Sequence, residues 1–336
     1  MHFGFNFTHK AIQRMFKEWM ANANSVRNSL VAIKTEHNYQ SSKTKSWCTE
    51  KNLFHQGHHF KQYKRTSGMS LIKLALYLGF TLIIFPRTVS AVQWEILADG
   101  LEFGKVHSPL YETYTNQYIH FLRIDPTIYE LTLFNSSHPD QGQRLSARDW
   151  ANREGLTAVI NAAMFQQDYL RSVSYMRSDN HVNNPRVSGD KTFLAFDPLK
   201  SDIPPIRIID IECDDFSSLR NDYRSIVQSI RMLSCRGRNV WQESDRRWSI
   251  AAIGTDTTGN LLFIHSTAPH SVNEFINILR ALPINLQRAM YMEGGSQAQM
   301  FVRTEKKTLE FVGNYSSGGR AIAVTAIPNV LGIKRR

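Results

Sequence analysis

The sequence predicts an α+β fold, a single domain in which a mixed, largely antiparallel β-sheet is flanked by helices. Stretches with the alternating or continuous apolar pattern of strands outnumber stretches with helical spacing. Neighbouring predicted strands are often joined by short turns, as in hairpins, and this does not favour a doubly wound parallel sheet. Residues 92–336, about 245 in number, are enough for one domain with a substantial core.

Residues 1–68 form a basic segment that we expect to lie outside the mature protein. They carry 11 Lys and Arg against 3 Asp and Glu, whereas residues 92–336 carry 27 against 26. The net charges are therefore +8 and +1. Because the positive charge is concentrated at one end, no basic stripe remains in the domain, and nucleic-acid binding is not favoured.

Residues 69–91 have the three-part pattern of a secretory signal peptide. Lys73 precedes an apolar run, Leu74–Phe85, and small residues for cleavage follow at Val89–Ala91. The run is short for a bilayer span, which needs about 20 residues. We expect a periplasmic or secreted protein that contacts the membrane only through this signal, with an uncleaved anchor as the alternative. Met69 is then the expected first residue of the translated protein. The basic segment upstream of it comes either from a start codon assigned too early or from a real cytoplasmic tail.

The predicted domain starts with strands around one helix. Gln117–Asp125 and Tyr129–Phe134 alternate apolar and polar residues, and we expect these two strands to pair. Ser146–Glu154 is predicted to be a helix with Ser146 as its N-cap and Gly155 at its end. Leu156–Ala162 is a continuous apolar run with β-branched residues, which is typical of a central strand.

The middle of the chain is predicted to hold a long loop, two strands and a helix. Gln166–Lys191 is polar and carries Gly, Asn and Pro, so we expect a loop of the length that is often functional. Thr192–Phe196 and Ile206–Ile211 are predicted strands. Phe216–Met232 has apolar residues at helical spacing.

The last third is predicted to contain a hairpin, a helix and a final strand. Trp248–Gly254 and Asn260–His265 flank the turn Asp256–Gly259. Ser271–Leu282 begins with the Ser and Glu of a capping box and is predicted to be a helix. Ala321–Ile327 is the last predicted strand.

The most informative stretch is Ala289–Val302, AMYMEGGSQAQMFV. An apolar run ends in Glu293, and Gly294 and Gly295 follow, which predicts a tight reversal between two strands. Glycines also let a backbone approach a ligand closely. A carboxylate beside free N–H groups and the hydroxyl of Ser296 can bind a sugar or a phosphate, although an ordinary turn with a surface Glu has the same sequence pattern.

Two cysteines, Cys213 and Cys235, follow the predicted signal. In an exported protein they can form one disulfide, and two free buried thiols are the alternative. Two cysteines alone cannot make a zinc site, and no other metal-ligand pattern is present. We predict no cofactor; Ca²⁺ held by carboxylates and carbonyls stays open.

Several stretches, in the right order, resemble the phosphodiester glycosidase domain, the family that includes the lysosomal N-acetylglucosamine-1-phosphodiester α-N-acetylglucosaminidase and exported bacterial relatives. They cover roughly residues 119–333. The stretches are Val159–Phe165, Gln228–Leu233, Ala251–Gly259, Glu293–Ser296 and the closing Ile327–Val330. Two departures concern the substrate. The family usually has Asp at the position of Glu293 and Arg at that of Ile250; Arg246 or Arg247 could replace the latter.

The resemblance implies cleavage of the sugar C1–O bond of a sugar-phosphate diester. We assign catalytic roles to Glu293 and Asn161. Substrate binding is assigned to Gly294, Gly295, Ser296, Arg186, Arg247 and Asn329. The alternative interpretation of Arg186 and Arg247 is that they are solvated surface charges. His181, His265 and Asp256 are interpreted as structural residues.

The predicted function is therefore an exported hydrolase acting on a sugar-phosphate or polysaccharide substrate of the cell envelope or the medium. The alternative is a non-catalytic periplasmic protein on the same fold that binds glycans or assists exopolysaccharide assembly. The departures at Ile250 and Glu293 favour the alternative.

Overall fold

The computed structural model describes residues 91–111, 117–179, 181–313 and 325–336, all within the compact unit Phe85–Arg336. The predicted basic segment and the predicted signal peptide, apart from its last residue, lie outside the described residues. Within the described ranges, no helix has both the length and the apolar character to cross a membrane.

Eleven strands form a large sheet in which neighbouring strands are antiparallel. Its strands are β1 (Gln93–Ala98), β2 (Leu101–His107), β3 (Tyr118–Ile124), β6 (Met176–Ser178), β7 (His181–Asn184), β8 (Thr192–Pro198), β9 (Ile206–Asp210), β10 (Tyr223–Arg231), β11 (Trp248–Asp256), β12 (Leu261–His270) and β13 (Leu286–Gly294). The main order is β1-β2-β3-β12-β11-β13-β10-β6-β7, and β8 pairs with both β10 and β9.

A second, five-stranded antiparallel sheet has the order β15-β14-β5-β16-β4. Its strands are β4 (Tyr129–Asn135), β5 (Ala158–Asn161), β14 (Gln299–Arg303), β15 (Thr308–Val312) and β16 (Asn329–Arg335). The predicted Leu156–Ala162 strand is therefore central, as its apolar run indicates.

The two sheets pack face to face over one core, to which both contribute, for example Leu122 and Phe263 from the large sheet and Ile160 and Leu331 from the small one. Helix α3 (Val272–Ala281) covers the outer face of the large sheet. Helix α1 (Ala147–Glu154) covers the outer face of the small sheet. The remaining α-helix of the described residues is α2, a single turn at Phe216–Leu219. The α+β prediction is confirmed in coarse form: the sheets are mostly antiparallel and the helices few.

Local signals predicted the helix ends well. The Ser146 hydroxyl accepts a hydrogen bond from the N–H of Asp149, and Gly155 ends α1 with φ 64°. The capping box of Ser271 and Glu274 is present at the start of α3. These motifs involve residues three to four apart, so no distant contact is needed to specify them.

The expected pairing of Gln117–Asp125 with Tyr129–Phe134 is wrong. Both strands exist, but β3 lies in the large sheet and β4 in the small one. The chain turns at Asp125–Ile128 and crosses from one sheet to the other. Alternation predicts which residues of a strand face the core, and Leu122 of β3 and Leu131 of β4 both do so, but it does not predict the partner strand.

The predicted helix at Phe216–Met232 is also wrong beyond its first turn. Only α2 is helical, and β10 follows at Tyr223–Arg231. Six of the nine residues of β10 are buried, including five in a row, so both faces of this strand are covered. A strand buried on both faces loses its period of two and can imitate helical spacing.

Two further boundaries differ from the prediction. The expected long loop Gln166–Lys191 contains β6 and β7. The last strand is β16 at Asn329–Arg335, not Ala321–Ile327; residues 321–324 lie outside the described residues, and Ile327 makes one isolated bridge with Leu145.

Candidate functional site

The segment after Glu293 carries the chain from one sheet to the other. Strand β13 ends at Gly294, a 3₁₀ turn spans Gly295–Gln297, and β14 continues in the small sheet. The predicted reversal is therefore a crossing between sheets, because β13 and β14 do not pair. Gly295 has φ 66°, a conformation that favours glycine.

Glycines at this corner allow unusually close packing. A Cβ atom on Gly294 would lie 2.2 Å from the Tyr291 hydroxyl and 2.5 Å from the Trp248 ring. A Cβ atom on Gly313 would lie 1.8 Å from the carbonyl oxygen of Gly295, so two backbones touch here. The corner is a densely packed structure and differs from a flexible surface turn.

Glu293 is buried at this corner, with 8% of its surface exposed. A β-bulge precedes it, because Ala251 opposes Glu293 whereas Ala252 opposes Tyr291. Bulges re-aim side chains, and here the carboxyl group shares the inner face of the sheet with Ala251. The ordinary surface turn considered from the sequence is therefore not what forms.

Burial raises the pKa of Glu293 to about 7, and a hydrogen bond from the Gly294 N–H to Oε1, at 2.9 Å, opposes this only in part. Among the described residues no Lys, Arg or His lies within ion-pair distance of its carboxylate. A buried acid without a cation, and with a pKa near neutrality, is typical of proton-transfer groups.

Asn161 lies beside this corner, as the sequence predicts. Its side-chain Nδ2 donates to the carbonyl oxygen of Gln297 at 2.8 Å, and its Oδ1 accepts from the N–H of Gln299 at 2.7 Å. Both groups therefore hold the backbone of the crossing segment. The structure gives Asn161 a positioning role, and a direct catalytic contact stays a prediction.

Asn329 is buried at the same end of the small sheet, in a network of asparagines. Its Oδ1 accepts from Nδ2 of Asn135 at 3.0 Å and from Nδ2 of Asn183 at 3.4 Å, and its own Nδ2 donates to the carbonyl oxygen of Leu170 at 3.3 Å. Its main-chain oxygen accepts from the N–H of Ala162, next to Asn161. The network fixes the strand ends around the corner, which supports the predicted orienting role more than substrate binding.

The two predicted phosphate ligands have different surroundings. Arg186 is exposed in the segment after β7, where its N–H donates to Oδ1 of Asn184 at 2.9 Å. Arg247 is bound by both carboxylate oxygens of Glu274 in the capping box of α3, with Nε 3.0 Å from Oε2. For Arg247 to bind a phosphate, its guanidinium would have to leave Glu274.

Ile250 occupies the position where the family resemblance predicts Arg. It is fully buried and opposes Gly294 across the strand pair. Ser296, the predicted hydroxyl donor, is half-buried in the 3₁₀ turn after Glu293. The glycines and this serine lie together with Glu293 as predicted.

Sequence reasoning missed a pair of histidines. His265 and His120 oppose each other on β12 and β3, on the same face of the sheet as Ala251. Nε2 of His265 lies 3.1 Å from the carbonyl oxygen of Ala298, in the crossing segment. Burial lowers the pKa of His265 to about 4 and that of His120 to about 3, so both are neutral. The position of His265 opposite Ala251 and His120 follows from strand register, which the sequence pattern does not reveal.

The structure answers two further questions from the sequence: the role of Asp256 and the state of the two cysteines. Asp256 is a turn residue, as predicted, and accepts hydrogen bonds from Thr258 and Asn260. Cys213 and Cys235 are joined by a disulfide, which decides between the two alternatives.

Comparison with known proteins gives a family and a fold. Residues 154–334 match the model of the phosphodiester glycosidase family. The catalytic domain of zebrafish N-acetylglucosamine-1-phosphodiester α-N-acetylglucosaminidase, in a form auto-inhibited by its pro-peptide, is similar in structure: the TM-score is 0.53 at 14% identity, over 74% of this chain and 87% of that one. A Synechocystis protein has a TM-score of 0.51 at 12% identity, over 73% of this chain and 64% of its own. No curated protein matches the sequence.

Proposed function

The chain belongs to the phosphodiester glycosidase family, and from this premise we propose that it hydrolyses the bond between a sugar C1 and the oxygen of a phosphodiester. The observation that carries the proposal is Glu293, a buried acid without a cationic partner among the described residues, placed at a glycine-built corner. The zebrafish relative of similar fold is, by its name, an enzyme that acts on such a diester.

In the proposed reaction Glu293 is the general base. Its carboxylate takes a proton from a water molecule, and the water oxygen forms a bond with C1. The bond between C1 and the phosphate oxygen breaks, and the phosphate leaves as a monoester anion. Because a phosphate is a good leaving group, no strong general acid is required, in contrast to ordinary glycoside hydrolysis.

A side chain at the corner is the candidate hydrogen-bond donor for the substrate. Ser296 follows the two glycines, and its hydroxyl is the candidate donor to a phosphate or sugar oxygen. Asn161 acts through the crossing segment that it holds. In this mechanism the proton-transfer group and its positioning residues lie within a stretch of seven residues, 293–299, and at the strand end that carries Asn161.

We propose that the protein is exported and acts on envelope or extracellular polysaccharide. The Cys213–Cys235 disulfide supports export, because disulfides persist in oxidising compartments and are rare in the cytosol. The signal pattern in residues 69–91 supports the same location. N-terminal sequencing of the native protein tests it, since a chain that retains the basic segment would contradict the proposal.

The catalytic proposal is tested with a panel of sugar-1-phosphodiesters. The purified protein is expected to release free sugar from at least one of them, and Glu293→Gln, which keeps the size and the hydrogen-bond acceptor, is expected to release it about 10²–10⁴ times more slowly. Release of sugar by Glu293→Gln at the wild-type rate would remove Glu293 from the mechanism. No release by the wild-type protein from any diester would contradict the enzymatic function.

A non-catalytic glycan-binding or assembly protein is the second candidate. The observations that favour it are the buried Ile250 in place of the family's Arg and the pairing of Arg247 with Glu274. Glycan binding without turnover, unaffected by Glu293→Gln, would support this candidate.

A further inference from the structure

A groove of about 630 Å³ lies between the first strands of the large sheet and β15 of the small sheet. Its volume falls in the range of about 300–1,000 Å³ that is typical of ligand sites. The side chains that matter here are aromatic or cationic: Trp94, Lys105, Tyr118, His120, Lys307 and Phe311.

The groove continues the row of side chains that contains Glu293. Directly opposed residues run across five strands: Glu293, Ala251, His265, His120 and Lys105. Opposed side chains point to the same face of a sheet. His120 is three strand spacings from Glu293, roughly 14 Å between Cα atoms. Ala251 and His265, which lie between them in the row, are fully buried, so the groove does not extend along the row to Glu293.

Two buried atoms along this row lack partners. Nδ1 of His120 and Nδ1 of His265 have no hydrogen-bond partner within the described part of the chain, although both rings are buried. Since Nε2 of His265 donates to a carbonyl oxygen, its Nδ1 is a hydrogen-bond acceptor. Buried polar atoms in native proteins nearly always have a partner. Of these two histidines only His120 lines the groove, and a hydroxyl group of a ligand bound there would supply the partner of its Nδ1.

The groove also has a definite chemistry. The ring of Phe311 stacks on that of His120, with 4.0 Å between centroids, and both Phe311 and Tyr118 are half-buried. Such ring faces can cover the C–H faces of a pyranose. Lys105 lies 5.7 Å from the centre of the Tyr118 ring.

Charge indicates which saccharide fits. Lys307 pairs with Glu95, the only acid among the described residues that line the groove, so Lys105 is the cation in excess there. An exposed ammonium group attracts phosphate or carboxylate groups. A neutral glycan would use the aromatic faces but not this charge.

We propose that the groove binds an anionic glycan chain, a saccharide with phosphate or carboxylate groups along it. This binding does not depend on the reaction at Glu293. The consequence is tighter binding of a polymeric anionic glycan than of a small diester.

Binding is measured by isothermal titration on the full-length Glu293→Gln protein, which leaves the probe intact. The probes are a glucose hexamer joined by 1-phosphodiester bonds, the corresponding methyl diester of one glucose, and neutral maltohexaose. The charged hexamer is expected to bind about tenfold or more tightly than either of the others. Equal affinity for the charged and neutral hexamers, or for hexamer and monomer, would overturn the proposal.

Lys105→Gln, made in the same background, locates the site. It is expected to weaken binding of the charged hexamer about tenfold, a loss typical of one charged contact. Lys334→Gln is the matched control, since Lys334 is equally exposed on β16 and does not line the groove. An equal effect of the two substitutions would contradict the proposed site. In the wild-type background, Lys105→Gln should leave hydrolysis of the monomeric diester unchanged.

The proposed binding in the groove and the proposed reaction can be contradicted independently of each other. If the wild-type protein hydrolyses no diester but the charged hexamer still binds through Lys105, the proposed function is lost and the groove remains. If monomeric diesters are hydrolysed and the hexamer gains nothing from the groove, the reaction remains and this inference is lost.

Discussion

Two buried acids lie at opposite ends of the β11–β13 strand pair, and their surroundings differ completely. Asp256 ends β11 with 3% of its surface exposed, and Glu293 precedes the end of β13 with 8% exposed. Asp256 accepts four hydrogen bonds from Thr258 and Asn260, and Nε of Arg123 lies 3.5 Å away. Within the described part of the chain, the carboxylate of Glu293 accepts one, from the N–H of Gly294.

The pKa values of the two acids are therefore shifted in opposite directions. Burial would raise the pKa of Asp256, but the hydrogen bonds from Asn260 and Thr258 outweigh it and the pKa is lowered. Burial raises the pKa of Glu293 to about 7. The carboxylate at one end is thus stabilised by hydrogen bonds, whereas the one at the other end is costly to ionise, and a costly group is a functional candidate.

The largest expected difference between the two ends is in activity. Glu293→Gln is expected to lower kcat/KM for a sugar-1-phosphodiester by about 10²–10⁴, the usual contribution of a general base. Asp256→Asn, the matched change at the other end, should leave kcat/KM near the wild-type value in protein that is still folded. Steady-state kinetics on both variants measures this, and equal losses would erase the distinction.

The pH profile sharpens the same contrast. Because the base must be ionised, kcat/KM is expected to rise about tenfold per pH unit below pH 7 and to level off above it. Initial rates between pH 5 and 9 test this. A profile that falls through pH 7 would make Glu293 a proton donor instead.

Stability should change in opposite directions at the two ends. Asp256→Ala is expected to lower the free energy of unfolding by about 3 kcal/mol, because it leaves buried donors without an acceptor. Glu293→Gln is expected to raise it by up to about 3 kcal/mol at pH 8, since ionising this buried acid is costly. Urea unfolding of both variants measures the two changes.

The sign for Glu293 follows from proton binding. Its pKa is about 7 in the folded protein and near 4.5 in the unfolded chain. Between these values the folded state binds more protons, so the wild-type protein loses stability as pH rises through this window. The advantage of Glu293→Gln should therefore be fully present above pH 7 and disappear below pH 4.5. A pH-independent difference would mean that Glu293 does not ionise as proposed.

The smallest expected effect concerns the glycines beside each acid. Gly294→Ala should cost about 1–3 kcal/mol, because its Cβ would collide with Tyr291 and Trp248. Gly259→Ala has no atom within 4 Å of the new Cβ, but its φ of 90° should cost about 1 kcal/mol. Thermal unfolding compares the two, and an equal or reversed order would show that the Glu293 corner is not densely packed.

The sequence by itself determined the features that neighbouring residues specify. The caps of α1 and α3 and the hairpin at Asp256–Gly259 were all predictable, because each depends on residues a few positions apart. A change of chain direction after Glu293 was predictable too, but its form, a crossing between the sheets, was not. The family was readable for a related reason: its motifs are short stretches in a fixed order.

Only the tertiary structure decided which strands pair and what they bury. It placed β3 and β4 in different sheets, turned most of the predicted helix at Phe216–Met232 into β10, and joined Cys213 to Cys235. It also aligned His120 and His265 with Glu293 through register across three strand pairs from β13 to β3. Pairing, burial and the pKa of a buried acid depend on residues far apart in the chain, so no local pattern can encode them.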